Sequence, residues 1–286
     1  MITLNADNYY DVQASREYMT CSQYSAFLEC PTAAYHRFIL GDVKKEDYKA
    51  FVDGNFAHSH FESKESHQAF IDSHPEIISS RGKTAGKMKV EYQNWYNSFK
   101  DAEKDESWMK YMRGQKEAIF TGELCGMQWA VKADVINDEE GFCSDFKFMK
   151  ELDGEYWMGF DFDTDGNILP PGTKESFAYH KNILVPFYEK YIYWRRFAVY
   201  RHILHKATGK AYEMYMPCLS KEIPANRAVY AFNNAGRFLI ELQEIQRNLP
   251  LIKEQRNGND LTRCEKCTYC RASKKKVELQ VASSLW

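Results

Sequence analysis

Asp145 and Lys147 stand two residues apart in Cys143-Ser-Asp-Phe-Lys-Phe-Met, a run whose apolar residues otherwise read as a buried β-strand. Strand alternation sends residues i and i+2 to one face, so a carboxylate and an ammonium share one space, and burying both calls for a partner. Asp134, near the end of the preceding predicted strand "AVKADVIND" (130–138), is returned beside Asp145 by the turn at 137–141. Two carboxylates at close range repel unless a divalent cation lies between them, and oxygen ligands suit Mg²⁺ or Mn²⁺. Lys147 beside such an ion would position an attacking water and help deprotonate it, while the ion stabilises charge growing on a scissile phosphate. The chemistry expected is hydrolysis of a phosphodiester. Taken alone, Asp145-Phe-Lys147 would be an ion pair on a half-exposed strand. Asp134 and a helical "GNFAHSHFE" at 54–62, with His58, His60 and Glu62, set it apart. His58 is the candidate ligand there, with a core or surface histidine as the alternative. His60 points elsewhere on the helix, and Glu62, one turn on, reads as solvated.

The cysteines form a second constellation. Cys264-x-x-Cys267-x-x-Cys270 is one thiolate short of a closed tetrahedral site. Cys30, in "LECPTAA", supplies the fourth if the two ends of the chain meet, and Cys21 is its nearest competitor. Four thiolates serve either Zn²⁺ or an iron–sulfur cluster, and the spacing does not choose between them. Cys125, Cys143 and Cys218 fall in predicted strands and read as buried apolar fillers.

The elements that must position these residues follow from periodicity. A helix capped by Thr20 or Ser22 runs through Tyr24, Phe27 and Leu28 and is interrupted at Pro31. The stretch 48–76 reads as helix with Phe51, Phe56 and Phe61 inward, and 86–115 as a charged amphipathic helix. From 117 the pattern changes to apolar–polar alternation with turn signals at Gly126 and at 137–141, which predicts three antiparallel strands. A Gly-, Pro- and Asp-rich loop is expected over 161–178, helices over 179–208, a strand at "AYEMYMPCL" (211–219) and a helix over 224–247. This order implies an α/β (α+β) fold in one domain, residues 1–286. "DFDTDG" at 161–166 begins like a calcium loop, but Gly172 stands where the bidentate Glu would be, and the glycines of "GNILPPGTK" lack the spacing of a phosphate loop.

With 286 residues, 44% of them hydrophobic and 15% aromatic, the chain can bury a sizeable core. It lacks a run of 18 apolar residues, and its polar N-terminal stretch lacks the charged start and apolar centre of a signal peptide, so the expectation is a cytoplasmic protein without a membrane partner. The net charge of -2 hides an asymmetry: residues 1–160 hold 18 Lys+Arg against 27 Asp+Glu, and residues 161–286 hold 20 against 13. Such a division suits a protein that binds cations with one part and a polyanion with another, or two differently solvated faces. The basic run "RASKKK" (271–276) and the aromatic-basic "YEKYIYWRRFAVYRH" (188–202) are candidate DNA contacts, the alternatives being a solvated tail and core rings.

Gly54-x-x-x-His58, Asp134 and Asp145-Phe-Lys147 together resemble the RecB-like branch of the PD-(D/E)XK nuclease superfamily. More narrowly, the sequence is similar to phage-encoded PD-(D/E)XK nuclease-like proteins related to exodeoxyribonuclease VIII, with "EYMTCSQYSAFLECPTAA", "FTGELCGMQWAVKADV" and "RCEKCTYCRASK" carrying the likeness nearly from end to end. The resemblance implies a restriction-endonuclease-like central mixed sheet flanked by helices. It implies a cation held by His58, Asp134, Asp145 and the carbonyl of Phe146, with Asp134, Asp145 and Lys147 catalytic. It further implies a [4Fe-4S] cluster on Cys30, Cys264, Cys267 and Cys270 that staples the N-terminal helices to the 261–271 segment. One position departs from the pattern. Aligning 193–200 on the family's Tyr-x-x-Gln helix puts Tyr193 on the Tyr and Arg196 in place of the Gln, and an arginine there would contact DNA phosphate.

The function expected is therefore a divalent-metal-dependent DNA exonuclease that resects duplex ends for phage recombination, acting with a single-strand annealing protein in the cytoplasm of a bacterial host. The alternative is a non-catalytic DNA-binding recombination accessory protein on the same cluster-stapled fold, motivated by Arg196.

Overall fold

The computed structural model describes residues 1–43, 49–166, 168–169 and 177–274. The chain divides into two compact units, one made of Met1–Lys45 with Arg247–Trp286 and the other of Glu46–Gln246. No helix among the described residues is long and apolar enough to cross a membrane.

The first unit begins with α1 (Val12–Glu17), α2 (Cys21–Glu29) and α3 (Pro31–Ala34). Thr20 caps α2, its side chain accepting from the Gln23 N–H, and Pro31 occupies the first turn of α3, where its missing N–H costs nothing. The two chain ends meet in this unit. The Thr32 N–H and hydroxyl donate to the Thr262 carbonyl at 3.2 and 2.8 Å, and the Arg256 guanidinium donates to the Ser15 and Arg16 carbonyls at 3.0 and 2.8 Å.

The second unit opens with α4 (Lys49–Glu62) and α5 (Lys64–Ser73), separated by Ser63, which caps α5. Phe56 and Phe61 are buried as expected, but Phe51 is exposed. The buried stripe of α4 runs Val52, Phe56, Ser59, at i, i+4 and i+7, and a residue five before Phe56 falls off it. The helix expected over 86–115 is α6 (Val90–Ala102), followed by a break at Asp105, whose side chain caps the short α7 (Glu106–Met109). The break lets Trp108 and Met112 turn into the same core as Trp95 and Phe99.

The sheet follows. β1 (Gln115–Leu124) and β2 (Met127–Asn137) form a hairpin whose two-residue turn, Cys125-Gly126, has positive φ at both positions, 53° and 68°. That primed geometry matches strand twist, and it leaves Cys125 exposed at the tip rather than buried like Cys143 and Cys218. β3 (Phe142–Ser144) pairs antiparallel with β2, completing the expected meander. β4 (Lys147–Met149) continues β3 after a two-residue interruption.

Two expectations after residue 150 are corrected. Glu155–Phe162 (β5) and Tyr179–Pro186 (β6) form a separate antiparallel hairpin, so the helix expected from 179 begins only after Pro186, as α8 (Phe187–Lys190) and α9 (Tyr193–Thr208). Ile183 and Val185 alternate onto one face opposite Met158 and Tyr156, and Pro186 cannot continue a helix begun before it. After β7 (Glu213–Ser220), Arg227–Ala231 is an edge strand, β8, antiparallel to β7, not the start of a helix. The helix α10 (Ala235–Arg256) starts after Asn234, whose side chain accepts from the Arg237 N–H, and α11 (Thr268–Ala272) carries Cys270. Gly172, most of "GNILPPGTK" and Lys275–Lys276 of the basic run lie outside the described residues.

The result is the mixed α/β architecture expected: β1, β2 and β3 antiparallel, β3 and β4 both parallel to β7, and β8 on β7. Phe146 and Phe148 enter an aromatic core with Phe56, Phe61, Trp95, Phe99 and Trp108 from α4, α6 and α7. Alternation then sends Asp145 and Lys147 to the other face, where α9 packs on β1, β2 and β7. Phe56 anchors this core, with Tyr92, Phe99 and His67 ring centroids 5.1, 5.7 and 4.9 Å away. Phe56→Ala should cost about 3–5 kcal/mol in chemical denaturation with little change in secondary structure.

Candidate active site

β3 and β4 share one register along β7: Phe142 lies opposite Glu213 and Lys147 opposite Cys218, and between them the Asp145 N–H donates to the Tyr215 carbonyl at 3.1 Å. Against β2 the ladder runs Asn137–Phe142, Ile136–Cys143, Val135–Ser144, and then stops. The next pair in that register would be Asp134 with Asp145. Two facing carboxylates do not close a ladder, and the strands part there instead. The Phe146 N–H donates to Asp134 Oδ2 at 2.7 Å, tying the carboxylate to the gap it opens.

Four elements supply the remaining groups. α4 directs His58 so that its Nδ1 lies 3.6 Å from Asp134 Oδ2, with its ring 5.2 Å from that of Phe146. β1 brings Glu117, in register with Asp134 through its neighbours Lys116–Val135 and Ala118–Ala133, and paired with Lys132. β4 brings Lys147, which is ion-paired with Asp145 and donates to the Phe146 carbonyl at 2.8 Å. α9 brings Arg196, whose Nη1 donates to Asp145 Oδ1 and Oδ2 at 3.2 and 3.3 Å, and Tyr193, whose ring lies under both cations, 5.8 Å from Lys147 Nζ and 5.7 Å from Arg196 Cζ.

The two aspartates sit in opposite electrostatic states. Burial, and then the charge of Asp145, push the Asp134 carboxyl up to about 7. Burial would raise Asp145 as well, but Lys147 and Arg196 overrule it and hold that carboxyl down at about 2. Burial pushes His58 down to about 4, with the Lys147 charge acting the same way, and burial raises Glu117. A neutral imidazole is what a metal ligand must be.

Ligand atoms of His58, Glu117 and Asp134 all lie within 4.8 Å of one another. Donors around one six-coordinate Mg²⁺ or Mn²⁺ stand about 3 Å apart, so a small closure of this triad fits that ion, and its N and O donors are of the right class. Asp145 and the Phe146 carbonyl, expected as ligands, adjoin the triad and are engaged by Arg196 and Lys147. Glu117 was not singled out in the sequence. A signal for it existed, since counting back from the Cys125-Gly126 turn places 117 opposite 134. Its φ of +52° within a strand marks the position independently, because side chains rarely adopt that conformation without a local constraint. His60 indeed points elsewhere, its Nε2 3.0 Å from Glu103 Oε1, and Glu62 is exposed, accepting from the Ser66 hydroxyl.

In the other unit the sulfurs of Cys30, Cys264, Cys267 and Cys270 also lie within 4.8 Å of one another, with Cys30–Cys270 at 3.6 Å and Cys264–Cys270 at 4.0 Å. Cys21 is outside this group. Cys264 Sγ accepts from the Cys267 N–H at 3.3 Å and Cys267 Sγ from the Cys270 N–H at 3.4 Å. The N–H groups of Lys266 and Cys267 pull the Cys264 thiol down to about 6, while burial pushes Cys30 up to about 12. Sulfurs around one tetrahedral Zn²⁺ would stand about 3.8 Å apart, close to the spacing seen, whereas a cubane of four irons holds its thiolates further apart.

The family model described as "PDDEXK-like domain of unknown function (DUF3799)" matches residues 20–161 and 169–273. The chain belongs to this family. The match takes in both constellations, from Cys30 and His58 to Cys270. A solved structure named "Putative exonuclease", from Eubacterium rectale, is similar to this chain with a TM-score of 0.81 and 24% identity, covering 99% of this chain and 97% of that one. At that identity the likeness concerns the fold. A structure named "SSO0001" aligns with a TM-score of 0.31 at 10% identity, over 84% of this chain and 91% of that one, and carries no argument. No curated protein matches.

In this PDDEXK-like domain the carboxylate site has a readout that needs no substrate. Saturating Mn²⁺ should raise the thermal stability of the wild type by about 2–3 kcal/mol at a hundredfold excess over Kd, and the increment should vanish in Asp134→Asn, where the Phe146 hydrogen bond can persist but the charge is gone.

Proposed function

We propose that this protein is a divalent-metal-dependent deoxyribonuclease, an exonuclease that resects duplex ends. The observation that carries the reading is the opening of the β2–β3 ladder where Asp134 and Asp145 would face each other, with His58, Glu117 and Lys147 converging on the gap. In this reading His58, Asp134 and Glu117 hold the cation, with Asp145 and the Phe146 carbonyl beside it. The cation supplies a more acidic water and neutralises charge on the phosphate. Lys147, an ammonium fixed between the Phe146 carbonyl and Asp145, would donate a hydrogen bond that orients that water and stabilises the negative charge it gains on attack. Tyr193 and Arg196, at the same face, contact the DNA backbone.

The four cysteines are proposed as a structural centre joining the N-terminal helices to the 261–271 segment within a nuclease domain spanning 1–286. The sulfur spacing favours Zn²⁺, with the [4Fe-4S] cluster implied by the family resemblance as the alternative. A role in phage recombination beside a single-strand annealing protein rests on that resemblance. The second functional reading, a non-catalytic DNA-binding accessory protein, draws on the bond of Arg196 to both oxygens of Asp145, which leaves that carboxylate engaged.

Release of nucleotides from linear duplex DNA with Mg²⁺ or Mn²⁺ decides between them. Wild type should digest linear but spare covalently closed DNA, and Asp145→Ala and Lys147→Ala should each lose at least about a hundredfold in rate. DNA binding without digestion by the wild type would establish the accessory reading. For the cysteines, Cys267→Ser should lower both bound metal and melting temperature, and metal analysis of anaerobically purified protein should return one zinc rather than four irons.

A further inference from the structure

Asp145 carries two cations in this structure and Asp134 carries neither of them. Lys147 is held on Asp145 by a second contact, to the Phe146 carbonyl, and its side chain is 14% exposed. Arg196 is 31% exposed, donates to Asp145 through Nη1, and has its Cζ 5.7 Å from the Tyr193 ring centroid. Of the two, the guanidinium is the more exposed to solvent and so the nearer to an incoming anion. A divalent cation on His58, Glu117 and Asp134 would place two more positive charges on the far side of these aspartates. In a site this poorly solvated, like charges a few ångströms apart are strongly unfavourable. Asp145 would then be drawn toward the ion, and the arginine would need another anion.

We propose that Arg196 is a charge relay between metal and substrate: it neutralises Asp145 while the cation site is empty and transfers to the DNA phosphate when the cation is seated. The inference rests on the nuclease reading and deepens it, because it makes metal and DNA binding energetically coupled. The guanidinium competes with the cation for Asp145 in the absence of DNA. A backbone phosphate takes up the released guanidinium in a charge-assisted contact, so DNA strengthens metal binding, and by linkage the metal strengthens DNA binding by the same factor. A neutral glutamine at 196 can hydrogen-bond either anion but brings no positive charge to compete with the cation or to neutralise the phosphate. Tyr193 serves both positions of the arginine, offering its ring as the surface over which the guanidinium moves.

The test is calorimetric titration of Mn²⁺ into the full-length wild type, Arg196→Gln and Arg196→Lys, each alone and with a short phosphorothioate duplex that keeps its charge but resists cleavage. Without DNA, Arg196→Gln should bind Mn²⁺ about tenfold more tightly than wild type, the equivalent of one charge-assisted contact. Arg196→Lys, a single-point competitor, should fall between them, and it carries the test if the glutamine variant folds poorly. With the duplex, Mn²⁺ affinity should rise severalfold in wild type and stay unchanged in Arg196→Gln. Equal or weaker Mn²⁺ binding by Arg196→Gln without DNA, or an undiminished DNA effect in it, overturns the relay while leaving the nuclease reading intact. Absence of any Mn²⁺ site in wild type that Asp134→Asn removes overturns both.

Discussion

Asp134 and Asp145 occupy opposed positions on adjacent antiparallel strands, and the arrangement of the second unit depends on their failure to pair. Closing the ladder would press two carboxylates together in a buried space. The chain resolves this asymmetrically. β3 and β4 keep one unbroken register along β7, so the strand is anchored on that side, while on the β2 side it peels away after Val135–Ser144 and the Phe146 N–H turns to Asp134. Phe146 is wedged between Phe61 and Trp108, at centroid distances of 5.1 and 5.9 Å, which fixes the direction of the departure. The aromatic core therefore acts on the site through one residue whose side chain is apolar and whose backbone is polar at the gap.

The same constraint separates the electrostatic roles of the two aspartates. Both are buried and both would resist ionisation, yet Lys147 and Arg196 both pair with Asp145. Asp145 lies on the face that α9 covers, within reach of Arg196 and Lys147; Asp134 looks toward α4 and β1, which bring an imidazole and a third carboxyl. A site divided in this way holds a compensated carboxylate beside a carboxyl that resists ionisation. This asymmetry is what the proposed cation site would require, since in a closed ion-pair network both carboxylates would be matched by cations of the protein.

The cysteine group in the other unit uses different donors for a similar end. Its sulfurs are oriented by backbone N–H groups of the Cys-x-x-Cys turns, with Glu265 in a left-handed conformation between the first two. Those N–H groups favour the thiolate at Cys264. Thiolates in one unit and imidazole with carboxylates in the other would sort soft from hard ions by chemistry alone.

Much of this was legible in residue types and spacing. Asp145-Phe-Lys147, the turn that returns Asp134, the helical placement of His58 and the Cys264, Cys267, Cys270 spacing depend on short-range periodicity, which side-chain chemistry sets locally. The order of helix, meander, helix and strand followed for the same reason. What the sequence did not disclose depends on pairing between distant segments. The β5–β6 hairpin and β8 have aromatic or mixed patterns that suit a helix or a strand equally, and only partners in β6 and β7 decide the matter. Glu117 looks like any charged strand residue until register sets it opposite Asp134. Arg196 could be placed on a helix near the site, but its bond to Asp145 required knowing that α9 covers the face opposite the aromatic core. Local chemistry determined which groups were available; long-range burial and register, which no single segment encodes, decided which of them meet.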